Sequence, residues 1–335
     1  MNKTINSANQ DKPIDLIGIG NAIVDIIVNV DDEFLEKKKL QKGSMNLVDS
    51  IESKELLKEC QIIKRVSGGS CANTVVSLAS FGNKVEFIGR VKNDNFGEFF
   101  SSDLKESGAI FNVTPTVEGE SSAHSIILVT PDAQRTMCTY LGASVAFEPD
   151  DVDLNSIEKS KYLYLEGYLW DNALAKKAFL ESAIRAVESG TKIILSLSDS
   201  FCVERHRDSF IDLIDKYVDI LFCNEEELKS LCKKDNIEDC KNICSSICPL
   251  IIVTLGNKGS YILNEQEMIH IEPKVLGEII DTTGAGDIYA GGFIHGLINN
   301  MSLTKCGNLG SFCAGHIITQ LGSRSTINLG EFVED

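Results

Sequence analysis

The stretch DTTGAGDIYAGGF, residues 281–293, decides how the chain is read. Two threonines lead into Gly284, Ala285, Gly286 and Asp287, and a run of small and apolar residues follows. The pattern predicts a helix beginning near Gly284. The first backbone N–H groups of a helix have no partner inside it, and the helix dipole gives them a partial positive charge. Gly284, Ala285 and Gly286 would therefore present bare amides to an anion, with little side chain to hold the ligand off. Asp287 is the puzzle. A carboxylate there repels a resting anion, yet it can act as a general base on a hydroxyl while the amides hold charge developing on a transferring group. It can equally be an acidic first-turn residue that compensates the dipole. The stretch alone leaves both readings open.

At 335 residues the chain exceeds the size at which one hydrophobic core usually stops growing, so one large domain with a smaller appendage is expected. Apolar residues make up 43 % and the mean hydropathy is near zero, as in a soluble globular protein. The polar start, residues 1–12, lacks the basic flank and apolar run of a signal peptide. No run of about 18 uncharged apolar residues offers a membrane span. The formal charge of −17 argues against nucleic acid, whose affinity originates in phosphate neutralisation. Any polyanionic ligand then needs local help from magnesium, a helix N-terminus or a placed arginine. Eleven cysteines without a signal peptide read as the reduced thiols of a cytoplasmic protein. Cys240, Cys244 and Cys248 are spaced four apart, like one helix face, and lead into the apolar PLIIVTLG. With Cys232 they are expected as small core residues, because structural zinc favours closer pairs.

Short apolar runs at 14–20, 84–91, 161–167, 191–198, 218–224, 250–256 and 259–264 read as strands. Helix-length stretches lie between them at 72–81, 96–107, 172–189, 210–216, 225–233 and 237–246. Apolar strands alternating with helices indicate a parallel sheet covered on both faces. Two regions break the alternation: residues 22–48, with AIVDIIVNV and KGSMNLVD, and residues 110–141, with IFNVTPTVEG, SSAHSIILVTPDA and QRTMCTYLG. They read as antiparallel strands turning at 117–121 and 131–132, and suggest a small second sheet lying as a lid over the carboxyl ends of the core strands. No Walker-type phosphate loop is present. After Gly18 and Gly20, Ile23 stands where the dinucleotide fingerprint needs its third glycine, and SGGSCANT is not a G-x-S-x-G elbow. Five histidines without a triad context leave hydrolase chemistry unsupported.

DTTGAGDIYAGGF resembles the C-terminal signature of the ribokinase/PfkB family of carbohydrate and nucleoside kinases. SGGSCANTVVSLASFG, residues 67–82, resembles its N-terminal signature, and the likeness runs from GIGNAIVD to LGSRST. The resemblance implies an α/β fold: a three-layer α/β/α ribokinase-like core (12–22, 50–109 and 142–332) with a small, discontinuous β-sheet lid (23–49 and 110–141). It also implies ATP and Mg²⁺ as cofactors. Asp287 takes the place of the base, and Gly284, Ala285 and Gly286 that of the anion hole. Arg135 matches a lid arginine that reaches the transferring phosphate. Asn224 and Glu227, in NEEE, match residues that organise Mg²⁺ and the ATP phosphates, Glu227 holding the metal through water; without the resemblance they read as a helix cap. Thr254, Gly256 and Asn308 fall where the family meets the nucleotide. Asn21, Asp25, Gly68, Gly69 and Asn73 fall where it binds the acceptor.

VTPDAQRTMCTYLGAS and LEGYLWD look most like bacterial adenosine-kinase-like members, with Met45 and Tyr168 placed to pack against a purine. The expectation is phosphorylation of the 5′-hydroxyl of a purine nucleoside. The alternatives are a kinase of a free sugar (ribose, fructose or a ketodeoxy sugar acid) and a non-catalytic nucleoside binder. By analogy a monovalent cation would sit near Asp281, Thr283 and Ser325. The partners are small molecules, with no nucleic acid and no membrane. The chain is expected as a monomer or a homodimer paired through its lids.

Overall fold

A computed structural model describes residues 11–132, 134–324 and 330. Strand β1 (Ile14–Ile19) lies in the core, and β2 (Ile23–Asn29) leaves it for a second sheet. Helix α1 (Asp32–Lys38), β3 (Met45–Leu47), α2 (Ser50–Glu59) and β4 (Ile62–Gly68) complete that first excursion. The chain returns through α3 (Ser70–Ser80), β5 (Val85–Ile88) and α4 (Asn95–Glu106), then leaves again as β6 (Ala123–Val129) and β7 (Arg135–Tyr140). The rest belongs to the core. It runs through α5 (Leu154–Glu158), β8 (Ser160–Glu166), α6 (Ala173–Ser189), β9 (Lys192–Ser196) and α7 (Ser200–Tyr217). Then come β10 (Ile220–Asn224), α8 (Glu225–Cys232), α9 (Ile237–Cys244) and β11 (Leu250–Thr254). Strands β12 (Ser260–Leu263) and β13 (Met268–Ile271) precede α10 (Ala285–Ile298) and α11 (Leu303–Ile317).

The core sheet has the order β13-β12-β11-β10-β9-β8-β1-β5, parallel except at β11–β12 and β12–β13. Its strands are apolar on both faces because both are covered. On β8, Tyr162 and Tyr164 pack into the cluster that includes Val75, Leu78, Phe293 and Ile294 of α3 and α10. Leu163 and Leu165 point the other way, toward Phe179 of α6 and Phe210 of α7. The result is a three-layer α/β/α core. Cys232, Cys240, Cys244 and Cys248 are buried in that second cluster, and among the described residues no group of His, Cys, Asp or Glu could hold a metal. No helix among them is long and apolar enough to cross a membrane.

The second sheet has the order β3-β7-β6-β2-β4. Strand pairing puts Asp25, Ser125, Thr139 and Leu47 in one row across it, and Ile27, Ile127, Met137 and Met45 in the next. These rows share one face, because side chains alternate along a strand. The other face carries Val24, Ile26, Ile126 and Cys138, packed with Leu35 of α1 and Leu56 of α2.

Three features of this sheet depart from the sequence reading. Strand β4, expected within the core segment 50–109, pairs with β2 in the lid sheet. Helices α1 and α2 were not expected. Residues 110–116 do not join the lid: Ile110 and Thr116 make parallel bridges to Glu86 and Lys92 on the core side, and regular lid strand begins only at Ala123.

In the core order, β1 lies between β5 and β8. The chain proceeds from β1 to β5 on one side, then crosses to β8 on the other. This is the topological switch point, whose crevice at the strand carboxyl ends is the usual ligand site of an open α/β sheet. Gly18 lets α3 lie close to β1 there: a Cβ would stand 2.5 Å from Cys71 Sγ and 2.7 Å from Val75 Cγ2. Gly18→Ala should lower unfolding free energy by about 1–3 kcal/mol, read from urea denaturation; an unchanged midpoint would contradict this packing.

Candidate active site

Helices α3 and α10 lie side by side and run in the same direction. Ser70 and Asn73 meet Asp287, a Cβ on Gly291 would collide with Ser77, and Phe81 stacks on His295 with centroids 4.3 Å apart. Both N-termini therefore emerge at the carboxyl edge of the sheet, beside the switch point. Gly69 caps α3 with φ +100°, a conformation glycine adopts without strain, and its missing Cβ leaves room for the Asn21 carbonyl. Gly284 caps α10 with φ +75°, as the sequence reading required.

Asp287 stands where the two termini meet. One carboxylate oxygen accepts from Ser70 Oγ (2.6 Å) and the other from Asn73 Nδ2 (2.9 Å). Ser323 Oγ donates to Asn73 Oδ1 (3.2 Å), which turns the amide nitrogen toward Asp287. Asp287 as a residue is half-buried, and the surrounding protein withdraws its carboxyl from bulk water. That desolvation raises its pKa to about 6 against the pull of its hydrogen bonds. A half-buried carboxylate of this kind can take a proton near neutral pH.

The amides beside it differ from the expectation at one position. The Ala285 N–H donates to the Thr282 carbonyl (3.2 Å), so it is not bare. Gly284, Gly286 and Asp287 have amides without a hydrogen bond among the described residues, and space above Gly286 is open to at least 4 Å around a built Cβ. These amides fit an anion.

Across the switch point, Asn21 follows β1 and Glu166 ends β8. Asn21 Nδ2 donates to Glu166 Oε1 (2.6 Å) and the Cys71 N–H donates to Glu166 Oε2 (2.8 Å), which joins β1, β8 and α3 at one acid. Burial raises the Glu166 pKa to about 7. Among the described residues, Asn21 Oδ1 is buried without a partner. Asp25 lies on the lid face opposite. No described residue donates a hydrogen bond to its carboxylate, and burial raises its pKa to about 7, opposed by the charges of Arg324 and Arg135. Gly68 makes room for it, since a Cβ there would overlap the carboxylate.

Arg135 of β7 crosses from lid to core. Its Nη1 pairs with Asp281 Oδ2 (2.8 Å), while Nη2 is buried without a partner among the described residues. Asp281 also accepts from the N–H groups of Thr283 (3.0 Å) and Gly322 (2.7 Å), so both its oxygens are engaged by the protein. Ser325, the third residue expected near a monovalent cation, lies outside the described residues. Asp25, Arg135, Thr283, Ser323 and Arg324 line one narrow cleft between lid and core.

The nucleotide candidates lie farther along the same edge. Asn224 ends β10 and pairs with Thr254 at the end of β11. Three strand spacings of about 4.8 Å put β10 roughly 14 Å from β1, a span suited to a triphosphate chain. Asn224 and Glu227 form a capping box: Asn224 Nδ2 and its N–H donate to Glu227 (2.6 and 3.0 Å), and Glu227 N–H donates to Asn224 Oδ1 (2.8 Å). The helix-cap reading is thus realised, and each oxygen of Glu227 keeps a lone pair. Among the described residues no group of three or more His, Cys, Asp or Glu forms around Glu227, so it suits Mg²⁺ only through water. Burial raises its pKa to about 7. Gly256 opens a turn after β11 with φ +61°. Asn308 is exposed on α11 and shares no hydrogen bond with the others. Met45 is 50 % exposed on the lid face that carries Asp25, and Tyr168 is exposed in the turn after β8.

Ser70, Glu166 and Arg324 were quoted in sequence motifs but given no role. Glu166 had a signal, an acid ending an otherwise apolar strand. Ser70 and Arg324 had none, because their partners lie 217 and 257 residues away.

The description "pfkB family carbohydrate kinase" matches residues 43–328. The chain belongs to this family. A crystal structure of a probable sugar kinase from Rhizobium etli is 38 % identical, with 96 % of this chain and 97 % of that one covered and a TM-score of 0.88. An adenosine kinase structure from Sinorhizobium meliloti is 39 % identical, covering 95 % and 98 %, with a TM-score of 0.87. A 5-dehydro-2-deoxygluconokinase from Geobacillus kaustophilus is 24 % identical, over 92 % of this chain and 89 % of its own length. The PfkB chain is accordingly a phosphotransferase with ribokinase-like architecture, acting on a small nucleoside or sugar with ATP and Mg²⁺.

Two raised carboxyls in one cleft have a kinetic consequence. If acceptor turnover needs Asp287 and Asp25 as anions, log kcat/KM for the acceptor should rise with pH through about 6 to 7 and level above. A flat profile from pH 5 to 8 would contradict it.

Proposed function

We propose that the chain transfers the γ-phosphate of MgATP to a sugar hydroxyl held between Asp25 of the lid and Asp287 of the core. The observation that carries this reading is the Asp287 carboxylate, held by Ser70 and Asn73 beside the unpartnered amides of Gly286 and its own residue. In this reading Asp287 takes the hydroxyl proton as the oxygen bonds to phosphorus and the bond to the ADP oxygen breaks. The amides at the start of α10 hold the negative charge of the phosphoryl group in flight. Glu227 would hold Mg²⁺ through water, and the ion would there supply shielding of the phosphate charges. Asn21, Asp25 and Asn73 orient the acceptor, with Gly68 and Gly69 giving it room. Thr254, Gly256 and Asn308 border the nucleotide. Arg135, already at the cleft with one nitrogen free of partners among the described residues, supplies a positive charge when the phosphate arrives. Lid closure keeps water from the phosphate.

The acceptor is the finer question. Similarity to a probable sugar kinase and to a 5-dehydro-2-deoxygluconokinase supports a free sugar. A specific observation supports a purine nucleoside: the lid face that carries Asp25 also carries, three strands away on β3, exposed Met45 and Leu47, 50 % and 66 % accessible, which suit an apolar base better than water. Similarity to the Sinorhizobium adenosine kinase agrees with it.

ADP release measured against a panel of adenosine, other nucleosides, ribose, fructose and ketodeoxy sugar acids separates these readings. Turnover with a nucleoside or a sugar is expected, and whichever dominates fixes the acceptor. Turnover with none would overturn the kinase assignment of this site in favour of a binding protein.

A further inference from the structure

Arg324 follows α11 and reaches back under the acceptor cleft. Nε (3.0 Å) and Nη2 donate to the Ser67 carbonyl, Nη2 also to Ser67 Oγ (3.0 Å), and Nη1 to the Ala72 carbonyl (3.1 Å). Ser67 belongs to lid strand β4, and Ala72 to the first turn of core helix α3. One guanidinium therefore grips both ends of the segment by which the chain passes from lid to core. That segment holds Gly68 against Asp25 and Ser70 against Asp287. The preceding residue, Ser323, orients Asn73.

We propose that Arg324 is a positioning residue of the acceptor site: by fastening residues 67–72 it sets the lid carboxylate Asp25 and the core carboxylate Asp287 around one acceptor. The inference rests on the acceptor reading given above. The contact set requires a planar fork, because four donor contacts on two separate carbonyls and a hydroxyl exceed what one ammonium can direct. The electrostatics agree with the geometry. Arg324 is desolvated, its pKa lowered to about 10, and its charge favours the anionic forms of Asp25 and Asp287. Two acids in one desolvated cleft otherwise drive each other toward the neutral form. Arg135 meets the same cleft from the lid but is tied to Asp281, which leaves the fastening to Arg324.

The test compares Arg324→Gln and Arg324→Lys with the wild-type protein, using the panel compound the wild type turns over best. Loss of charge-assisted hydrogen bonds that act on acceptor binding should raise the acceptor KM by roughly 10- to 100-fold in Arg324→Gln. The ATP KM should stay within about threefold. Arg324→Lys, which keeps the charge but not the fork, should fall between. Unchanged acceptor KM in Arg324→Gln overturns the proposal. So does a fall in kcat with a rise in both KM values in step with a lowered Tm, which is the mark of general destabilisation. If the wild type turns over nothing, the functional reading fails on its own, and amide exchange decides the inference. Faster exchange confined to residues 67–73 in Arg324→Gln supports the fastening role, and unchanged exchange there removes it.

Discussion

Two parallel helices that begin at the same place present their positive ends to each other. Helices α3 and α10 do this over their whole length, from the contact of Asn73 with Asp287 to that of Phe81 with His295. Side-by-side parallel dipoles repel, and their N-termini concentrate unpaired amides at one spot. A negative charge there therefore offsets the repulsion of the two ends. Asp287 supplies that charge, accepting from the first turn of α3 while sitting in the first turn of α10. The same field that stabilises Asp287 attracts a phosphate, so the structural compensation and the chemistry draw on one arrangement. That is why the capping and catalytic readings of DTTGAGD do not exclude each other.

The sheet decides what faces this point. Because the chain reverses direction across β1, the crevice opens between β1 and β8, and Glu166 bridges them through Asn21 and Cys71. The lid is entered directly from β1 and left directly into α3, so Asp25 and Ser70 are fixed by strands and helices rather than by a long loop. Charges of both signs meet at the cleft. Asp25, Asp281 and Asp287 are set against Arg135 and Arg324, and burial pushes Asp25 and Asp287 toward neutral pH while the arginines pull back. In a chain of net charge −17, those two cations at the cleft are the local help an anionic substrate needs.

Local pattern carried most of the core. Continuous apolar strands such as β8 and β11 were legible because both faces are buried, and the start of α10 was legible because glycine and dipole chemistry act within one turn. Strand β4 was not. It is an edge strand with Ile63, Lys64 and Arg65 all exposed, so it has no two-residue alternation to read. Helix α1 was hidden because only Leu35 is buried in it. At the candidate site, Asp25, Asn21, Asn73 and Asp287 were singled out through motif likeness. Ser70 and Arg324 depend on contacts made only after β4, α3 and the segment behind α11 come together, and no local signal encodes such contacts. The anion-hole expectation differs at one amide: the turn before α10 uses the Ala285 N–H itself, while the Asp287 N–H is left without a hydrogen bond among the described residues.

The central claim is that Asp287 is a base and not merely a counter-charge to two dipoles. The most direct measurement is kcat of a folded Asp287→Asn protein, with its stability and its ATP and acceptor binding measured alongside. Asparagine keeps the shape and removes the charge. The account predicts a fall in kcat of roughly 10²–10⁴ with both substrates still bound. A stability loss of up to about 1 kcal/mol accompanies it. Near-normal kcat, with only that stability loss, would contradict it.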